Sequence, residues 1–341
     1  MLNQTAIVIL NWNGKSFLEQ FLPKVISYSK GARVIVADND SSDDSIDFLK
    51  ANFPDVELIQ NESNGGFAKG YNEALKKVDS EFYVLLNSDI ELTENWLVPL
   101  LEKFQDETVA GCQPKVLSYN DKSSFEHAGA SGGFIDVNYF PFCRGRILTS
   151  VEEDTGQYEN SQEIFWSTGA CLAIRSELFH KAGGFDEDFF AHMEEIDLCW
   201  RLKRLNYRFL IEPASVVYHV GGGTLPYNSP RKTFLNFRNS LFMLTKNHQG
   251  LLFPKLFWRM AIDGVAAMSF LAKGEFKHFG AVFKAHIAFY GKLRTFLKKR
   301  KALKKSSTTF NATGMFRGNI LWNYYAKGVK KYSDLNKELF E

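Results

Sequence analysis

The stretch "TAIVILNWNGKSFLEQFLPKVISYSKGARVIVADN" spans residues 5–39 and decides the fold of the N-terminal half. It opens with a continuous apolar run (5–10), continues with apolar residues at helical spacing (14–29), and ends in a second apolar run (32–39). Continuous apolar runs are typical of strands that are buried on both faces, and parallel strands need a helix to connect them. The stretch therefore predicts a strand–helix–strand unit of an open parallel sheet.

The same alternation continues to residue 89. "SDDSIDFLKANF" (42–53) starts with Ser and Asp, which cap helices well, and carries apolar residues at helical spacing. "VELIQN" (56–61) and "FYVLLNSD" (82–89) are the next predicted strands. This order predicts an α/β, Rossmann-like nucleotide-binding sheet flanked by helices, with ligands at the carboxyl ends of its strands.

Polar residues and glycines follow each of these four strands. In chain order they are Asn11, Asn13 and Gly14; Asp38, Asn39 and Asp40; Asn61, Asn64, Gly65 and Gly66; and Asn87, Ser88 and Asp89. Ordinary turn chemistry explains any single group. Four consecutive strand ends that converge predict a ligand site. Neither a GxGxxG fingerprint nor a P-loop is present, so the dinucleotide and P-loop interpretations are weak.

Composition indicates a globular protein. Hydrophobic residues make up 45% and charged residues 23% of 341 residues, a length that suggests one large domain plus a smaller one, or two domains. The four cysteines are scattered without a CxxC pair, so we expect buried, reduced thiols and a cytosolic location. The sequence predicts no signal peptide at the N-terminus and no transmembrane helix.

Charge is unevenly distributed along the chain. Residues 251–305 contain thirteen Lys and Arg against two acids, a net +11, which leaves −9 for the remainder. The segment mixes Phe, Leu and Trp with these cations at helical spacing, which predicts an amphipathic element that lies on an anionic membrane surface. A helical bundle that packs on the main domain is the alternative. We expect no nucleic-acid binding, because no such module is recognisable.

The segment "FFAHMEEIDLCWR" (189–201) places acids beside a predicted helix face. If 194–205 is a helix, Glu195 begins an apolar stripe that continues through Leu198 and Leu202, so its carboxylate points inward. An inward carboxylate near a cleft is a candidate general base. Asp197 and Arg201 are spaced for a salt bridge. The alternative is that these acids only complement the helix dipole in a first turn.

Six motifs in order carry a family resemblance: "ILNWNG", "VADNDSSDDS", "NGGFAKGYN", "LLNSDIEL", "STGACLAIRSELFHKAGGFDEDFFAHMEEIDLCWR" and "YHVGGGT". Together they resemble the inverting family 2 glycosyltransferases of GT-A fold, and within them the rhamnosyltransferase-like bacterial enzymes of surface polysaccharide assembly. The resemblance covers about residues 4–245. It implies a GT-A catalytic domain over 1–245, with a nucleotide-sugar and metal half (about 1–115) and an acceptor and catalytic-base half (116–245). A basic helical segment (246–305) and a linker with a C-terminal tail (306–341), to which we assign no role, would follow.

The resemblance also implies a donor site and a divalent cation, Mg²⁺ or Mn²⁺. Asp89 of "NSD" stands where the family has its DxD motif, whose first Asp is here Asn87, and His219 would complete the metal site. Taken alone, Asp89 could instead cap the following helix, and His219 could be structural. Asp38 matches the carboxylate that contacts the nucleoside of a UDP- or dTDP-linked sugar. The expected nucleotide-sugar contacts are Asn11, Asn13, Asp38, Asn39, Asn64, Gly66, Phe67, Asn72, Asn87 and Ser88.

For catalysis, the resemblance places the base at Glu195, with Glu194 as the other candidate. Arg144 and Arg146 would bind the acceptor or phosphate, or else form surface charge, and Trp166 would stack on a sugar or belong to the core.

The implied function is metal-dependent, inverting transfer of a sugar, with rhamnose as a candidate. The acceptor would be a glycan or a lipid-linked molecule at the cytoplasmic face of the cell membrane.

Two other classes of function are weighed against this one. A sugar nucleotidyltransferase would share the sheet, but it would carry a Gly-rich, Arg-containing loop after the first strand, where "NWNGKSF" stands. A catalytically inactive nucleotide-sugar-binding protein has no need of Asp89, Glu195 and His219, which are all present.

Overall fold

The structure is a computed structural model that describes residues 1–222, 228–306 and 309–341. Gly223 and Thr224 of the "YHVGGGT" motif lie outside the described residues.

Strands occur throughout the first 219 residues and once near the C-terminus. They are β1 (Thr5–Asn11), β2 (Arg33–Asp38), β3 (Glu57–Gln60), β4 (Phe82–Asn87), β5 (Ile90–Leu92), β6 (Val109–Ser118), β7 (Gly133–Asp136), β8 (Pro141–Cys143), β9 (Arg146–Ile147), β10 (Ser150–Val151), β11 (Gln162–Ile164), β12 (Cys171–Arg175), β13 (Arg208–His219) and β14 (Met315–Phe316).

Helices alternate with the first strands and dominate after residue 229. They are α1 (Lys15–Tyr28), α2 (Ser45–Asn52), α3 (Gly66–Leu75), α4 (Leu97–Glu102), α5 (Ser176–Lys181), α6 (Glu194–Lys203), α7 (Pro230–Asn247), α8 (Leu252–Ala272), α9 (Phe276–Ser306) and α10 (Ile320–Tyr325).

The main sheet has the order β11-β13-β6-β12-β4-β1-β2-β3, and β5 pairs with β13. Strands β3, β2, β1 and β4 are parallel, β12 runs antiparallel between β4 and β6, and β6 is parallel to β13. The four strands and the helices predicted from residues 5–89 are all present. The predicted α/β architecture is confirmed, and the carboxyl ends of β1, β2, β3 and β4 share one edge of the sheet.

Strand β5 corrects one alternative for Asp89. This residue immediately precedes β5, and α4 begins only at Leu97 with Trp96 as its N-cap. Asp89 therefore does not cap that helix. It lies between two strands, and β5 in turn pairs with the strand that ends at His219.

A smaller sheet with the order β10-β9-β8-β7-β14 covers one side of the body. The C-terminal tail joins it, because β14 runs parallel to β7. The main-chain N–H of Ile320 donates a 2.9 Å hydrogen bond to the buried carboxyl of Asp136, and the Phe340 ring packs on Phe134. The residues from 309 onward are thus packed into the folded body.

The C-terminal helices pack on α6 and on one another. The rings of Phe242 in α7 and Phe296 in α9 stack with centroids 4.0 Å apart. One face of α8 and α9 therefore packs as the bundle alternative predicts, while the other face exposes Phe, Trp and Lys side chains. Among the described residues, no helix is long and apolar enough to cross a bilayer.

Candidate active site

A cavity of about 860 Å³ lies where the strand ends of the main sheet meet α6 and α7. Twelve of the predicted site residues line it, which are Asn39, Asn64, Gly66, Phe67, Asn87, Ser88, Asp89, Arg146, Trp166, Glu194, Glu195 and His219. These residues come from opposite halves of the sequence. The carboxyl-end edge of the parallel strands and the loop before α6 therefore form two walls of one site.

The wall formed by the strand ends is a network of side-chain amides. Asn39 is buried and donates to Asn64 Oδ1 at 3.0 Å, while Asn64 Oδ1 also accepts from the Gly66 main-chain N–H at 2.9 Å. Gly66 has φ +81°, and a Cβ there would lie 2.5 Å from the main-chain oxygen of Phe190. The loop after β3 must therefore carry glycine to approach the opposite wall.

Three residues that the sequence predicts as nucleotide-sugar contacts, Asn11, Asn13 and Asp38, lie outside the cavity. Asp38 is buried, and its carboxylate accepts from Asn11 Nδ2 (2.9 Å) and from the Ser41 hydroxyl (2.7 Å) and main-chain N–H (2.9 Å). Asn13 accepts hydrogen bonds from the Ser42 and Asp43 main-chain N–H groups. None of the three lines the cavity. As placed, they organise the loops at the ends of β1 and β2.

Asn72 also lies outside the cavity. Its side chain donates to the Phe185 carbonyl and accepts from the Phe185 N–H, both at 2.9 Å. It joins α3 to the segment that leads to α6, so the structure gives it a role in packing the two walls together.

Asp89 and His219 meet at the floor of the cavity. His219 Nε2 lies 3.1 Å from Asp89 Oδ1, and His219 Nδ1 lies 3.3 Å from Glu126 Oε2. Burial lowers the pKa of His219, but the two carboxylates outweigh it and raise the pKa to about 10. Glu126 had no sequence signal, because only the pairing of β6 with β13 brings this part of the chain to His219.

This pair of side chains fits a divalent cation. A carboxylate oxygen suits Mg²⁺ or Mn²⁺, and so does the imidazole nitrogen once the cation displaces its proton. A carboxylate on the far imidazole nitrogen is the usual partner of a ligating histidine. Among the described residues, no three His, Cys, Asp or Glu side chains converge into a complete metal site. The remaining ligands would have to come from a bound diphosphate and water.

The two glutamates at the start of α6 are the acids of the opposite wall. Burial raises the pKa of Glu195 to about 7. Burial and the neighbouring Glu195 charge raise the pKa of Glu194 well above its usual range. Glu194 is only 4% exposed, and one oxygen of each carboxyl has no hydrogen-bond partner. Of the pair, Glu195 is the one suited to ionise near neutral pH and to accept a proton.

The third acid of the segment has a structural role. Asp197 is fully buried and accepts from Arg201 Nε (2.8 Å), Lys246 Nζ (2.8 Å) and Asn247 Nδ2 (2.8 Å). The predicted salt bridge with Arg201 is present. It is buried between α6 and α7, and it anchors α6 to the C-terminal region.

Of the three residues predicted to bind the acceptor, phosphate or a sugar, two line the cavity and one does not. Arg144 does not line the cavity, because its buried guanidinium donates to the Ser131 carbonyl (2.9 Å), Gln162 Oε1 (2.8 Å) and the Asn160 carbonyl (3.0 Å). The structure therefore places Arg144 away from the cavity and gives it packing partners within the protein. Arg146 lines the cavity, and its buried Nε has no partner. Trp166 also lines it, although its Nε1 donates to the Phe134 carbonyl and the ring is 4% exposed.

Sequence reasoning missed the cations that the C-terminal helices add to the cavity. Arg231 and Lys232 come from the first turn of α7, and Arg259 comes from α8, where it pairs with Asp263 at 3.0 Å. Charge repulsion from Arg146 and Lys232 helps burial lower the pKa of His127 to about 3. This side of the cavity therefore carries positive charge.

The profile of Glycosyl transferase family 2 matches residues 6–183, more than half of the chain. The chain belongs to Glycosyl transferase family 2. A pre-mycofactocin glycosyltransferase of Mycobacterium tuberculosis is 30% identical over 204 residues, which are 58% of this chain and 39% of that protein's length. An N-acetylglucosaminyl-diphospho-decaprenol L-rhamnosyltransferase of the same species is 21% identical over 76% of this chain and 90% of its own. A low-salt glycan biosynthesis hexosyltransferase of Haloferax volcanii is 22% identical over 70% of this chain and 75% of its own.

Solved structures confirm the GT-A fold predicted for this family 2 member. GalNAc-T7 with UDP, GalNAc and Mn²⁺ matches with a TM-score of 0.56 at 17% identity, over 71% of this chain and 48% of that one. A mannosyltransferase of Pyrobaculum calidifontis with GDP-mannose and Mn²⁺ matches with a TM-score of 0.52 at 15% identity, over 95% of this chain and 88% of that one. At these identities the likeness concerns the fold.

Proposed function

We propose that this chain transfers a sugar from a nucleoside-diphosphate sugar to an acceptor hydroxyl, with inversion at the anomeric carbon. One observation carries the proposal: a single cavity holds polar residues that follow β2, β3 and β4, the Asp89–His219 pair and the Glu195 carboxyl, whose pKa is raised. Donor-binding groups and a general base thus face the same space.

The donor would lie along the strand ends. Asn39, Asn64 and Ser88 offer hydrogen bonds to the nucleoside and sugar, and Asp38 with Asn11 supports the loops around them. The diphosphate would reach Asp89 and His219, which would hold Mg²⁺ or Mn²⁺. When bound, the cation neutralises charge that develops on the departing diphosphate.

Glu195 would act as the base. The acceptor hydroxyl gives its proton to the Glu195 carboxylate while its oxygen forms a bond to the anomeric carbon. The bond between that carbon and the diphosphate oxygen breaks on the opposite face, and the diphosphate takes the electron pair. One displacement inverts the configuration, and a base with a pKa near the working pH transfers the proton efficiently.

The acceptor would enter from the side of Arg146, Arg231 and Lys232. A positive wall suits an acceptor that carries phosphate, since guanidinium groups bind phosphate oxygens in pairs. The relatives act, by their names, on a diphospho-decaprenol and in glycan biosynthesis. We therefore propose a glycan or lipid-linked acceptor in cell-surface polysaccharide biosynthesis, with rhamnose as the candidate sugar.

Helices α8 and α9 would place this cavity on a membrane at its cytoplasmic face. They expose nine large apolar side chains, each more than half accessible, which are Phe253, Phe257, Trp258, Val265, Met268, Phe276, Phe283, Ile287 and Tyr290. Along α9 the exposed stripe of Phe283, Ile287 and Tyr290 continues into Arg294 and Lys298 at helical spacing. An apolar stripe that is continued by cations fits an anionic lipid surface.

Calorimetry tests the donor site directly. We expect UDP or dTDP to bind, to bind more tightly with Mn²⁺ or Mg²⁺, and to lose that metal dependence in Asp89→Asn. Asp44→Asn is the control, because the Asp44 side chain is 80% exposed and only meets Lys15. The proposal would be contradicted if neither nucleotide binds with metal present. Tight binding of GDP alone would mean that the base of the sugar donor is a purine and not the pyrimidine proposed here.

A further inference from the structure

The loop that leads into α6 is held in an unfavourable backbone conformation. Phe190, His192 and Met193 have φ values of +68°, +72° and +73°, in the left-handed region that side chains other than Gly, Asn and Asp rarely adopt. All three residues line the cavity, and Met193 directly precedes Glu194 and Glu195. Backbone of this kind persists only where its surroundings fix it.

A single side chain of α7 binds most of this loop. Asn239 is fully buried, and its Nδ2 lies 2.9, 2.8 and 2.7 Å from the main-chain oxygens of Phe189, Ala191 and His192. The neighbouring Arg238 donates to the Phe189 carbonyl at 3.0 Å. Three main-chain oxygens of the loop thus accept hydrogen bonds from α7, and one of them, that of Phe189, also accepts from the Ala191 N–H within the loop at 2.8 Å.

The opposite side of the loop is held by the donor half. The Ala68 main-chain N–H at the start of α3 donates to the Phe190 carbonyl at 3.2 Å. Gly66 packs so closely there that a Cβ would lie 2.5 Å from the same oxygen. The loop is clamped between α3 and α7, so its position depends on both.

We propose that Asn239 is a positioning residue, which fixes loop 189–193 so that Glu195 faces the reacting hydroxyl. Helix α7, which lies beyond the residues matched by the family profile, then belongs to the catalytic apparatus. The inference rests on the proposed transfer reaction. It goes beyond that reaction by assigning alignment of the base to a side chain that does not touch the substrate.

The test is a kinetic comparison of Asn239→Ala with the wild type. A misplacement of about 1 Å can cost roughly 10²-fold in rate, so we expect a loss of kcat of this order. The KM of the donor should change less than about twofold, since the residues of the donor wall remain in place. The acid limb of the kcat/KM profile, near pH 7 in the wild type, should move to lower pH as water reaches the Glu195 carboxyl.

Asn311→Ala is the matched control. Asn311 Nδ2 also donates to a carboxylate (Glu163 Oε1, 2.7 Å) and to a main-chain carbonyl (Tyr207, 3.4 Å), but none of these residues lines the cavity. It should lower the melting temperature while keeping the wild-type pH profile. If Asn239→Ala does not fold, Asn239→Ser, which keeps one donor, takes its place with a smaller loss expected.

The possible results distinguish failure of the positioning role of Asn239 from failure of the proposed sugar transfer. A folded Asn239 variant with wild-type kcat and pH profile would overturn the positioning role while leaving the transfer reaction intact. Loss of kcat together with an equal rise in the donor KM would also overturn it, because the donor wall would then have moved as well. A wild-type protein that binds no nucleotide and transfers no sugar would instead remove the proposed function itself.

Discussion

Residues 1–115 and the C-terminal helices both line the cavity, but the orientation of their polar side chains is determined in different ways. In residues 1–115, polar residues that follow β2, β3 and β4 reach the cavity that their positions in the sequence predict, because parallel strands end at one edge of a sheet. In α7–α9, basic composition predicts a cationic surface, but several cations turn inward. The position of a residue along a strand determines where its side chain points. The orientation of a cation on a long helix depends on which acidic side chains tertiary packing brings near it.

The inward cations form a buried network around the loop before α6. Lys246 Nζ lies 2.7 Å from Asp186 Oδ2 and 2.8 Å from Asp197 Oδ2, and Lys299 reaches Asp188 Oδ2 at 2.7 Å. Burial of this kind is costly unless each charge keeps its partner. Within residues 251–305, Arg259 and Arg300 are also buried, so the net charge of +11 overstates the charge that faces solvent.

The largest effect expected from this contrast is on stability. Lys246→Met removes a 5% exposed ammonium from between two buried carboxylates, so we expect a loss of about 3 kcal/mol in the free energy of unfolding. Lys284→Met, at an exposed position of α9, should change it by less than about 0.5 kcal/mol. Urea titrations compare the two variants. Equal losses would mean that the buried network does not support the fold.

A smaller effect is expected on membrane binding. Reversing the exposed Lys298, Lys301 and Lys305 to Glu should weaken sedimentation with anionic vesicles, since each surface cation contributes about 1 kcal/mol. The control reverses Lys30, Lys50 and Lys76, which are exposed on the donor half. Added salt should weaken binding of the wild type. If both triple variants sediment like the wild type, α8 and α9 do not dock by charge.

The sequence predicted what depends on local pattern. Asn39, Asn64, Asn87, Asp89, His219 and Glu195 lie in the cavity, whereas the predicted Asn11, Asn13 and Asp38 do not. It did not predict Glu126 or Asn239, because each reaches the site only through the pairing or packing of distant elements. Arg144 was predicted to contact a ligand because it lies in a loop-rich segment. In the structure its guanidinium donates hydrogen bonds to Ser131 and Gln162 instead. Residue type and position identified candidate groups, and long-range packing decided which of them face the cavity.

The central claim is that Glu195 is the base of an inverting sugar transfer, and the relative transfer rates of Glu195→Gln and Glu194→Gln test it most directly. The amide keeps the size of the side chain but cannot accept the hydroxyl proton, so Glu195→Gln should lose about 10²–10⁴-fold in kcat with nucleotide binding unchanged. Glu194→Gln should lose far less, because burial and the neighbouring Glu195 charge raise the pKa of that carboxyl and so disfavour its ionisation. A severe loss only at Glu194, or equal mild losses at both, would contradict the account.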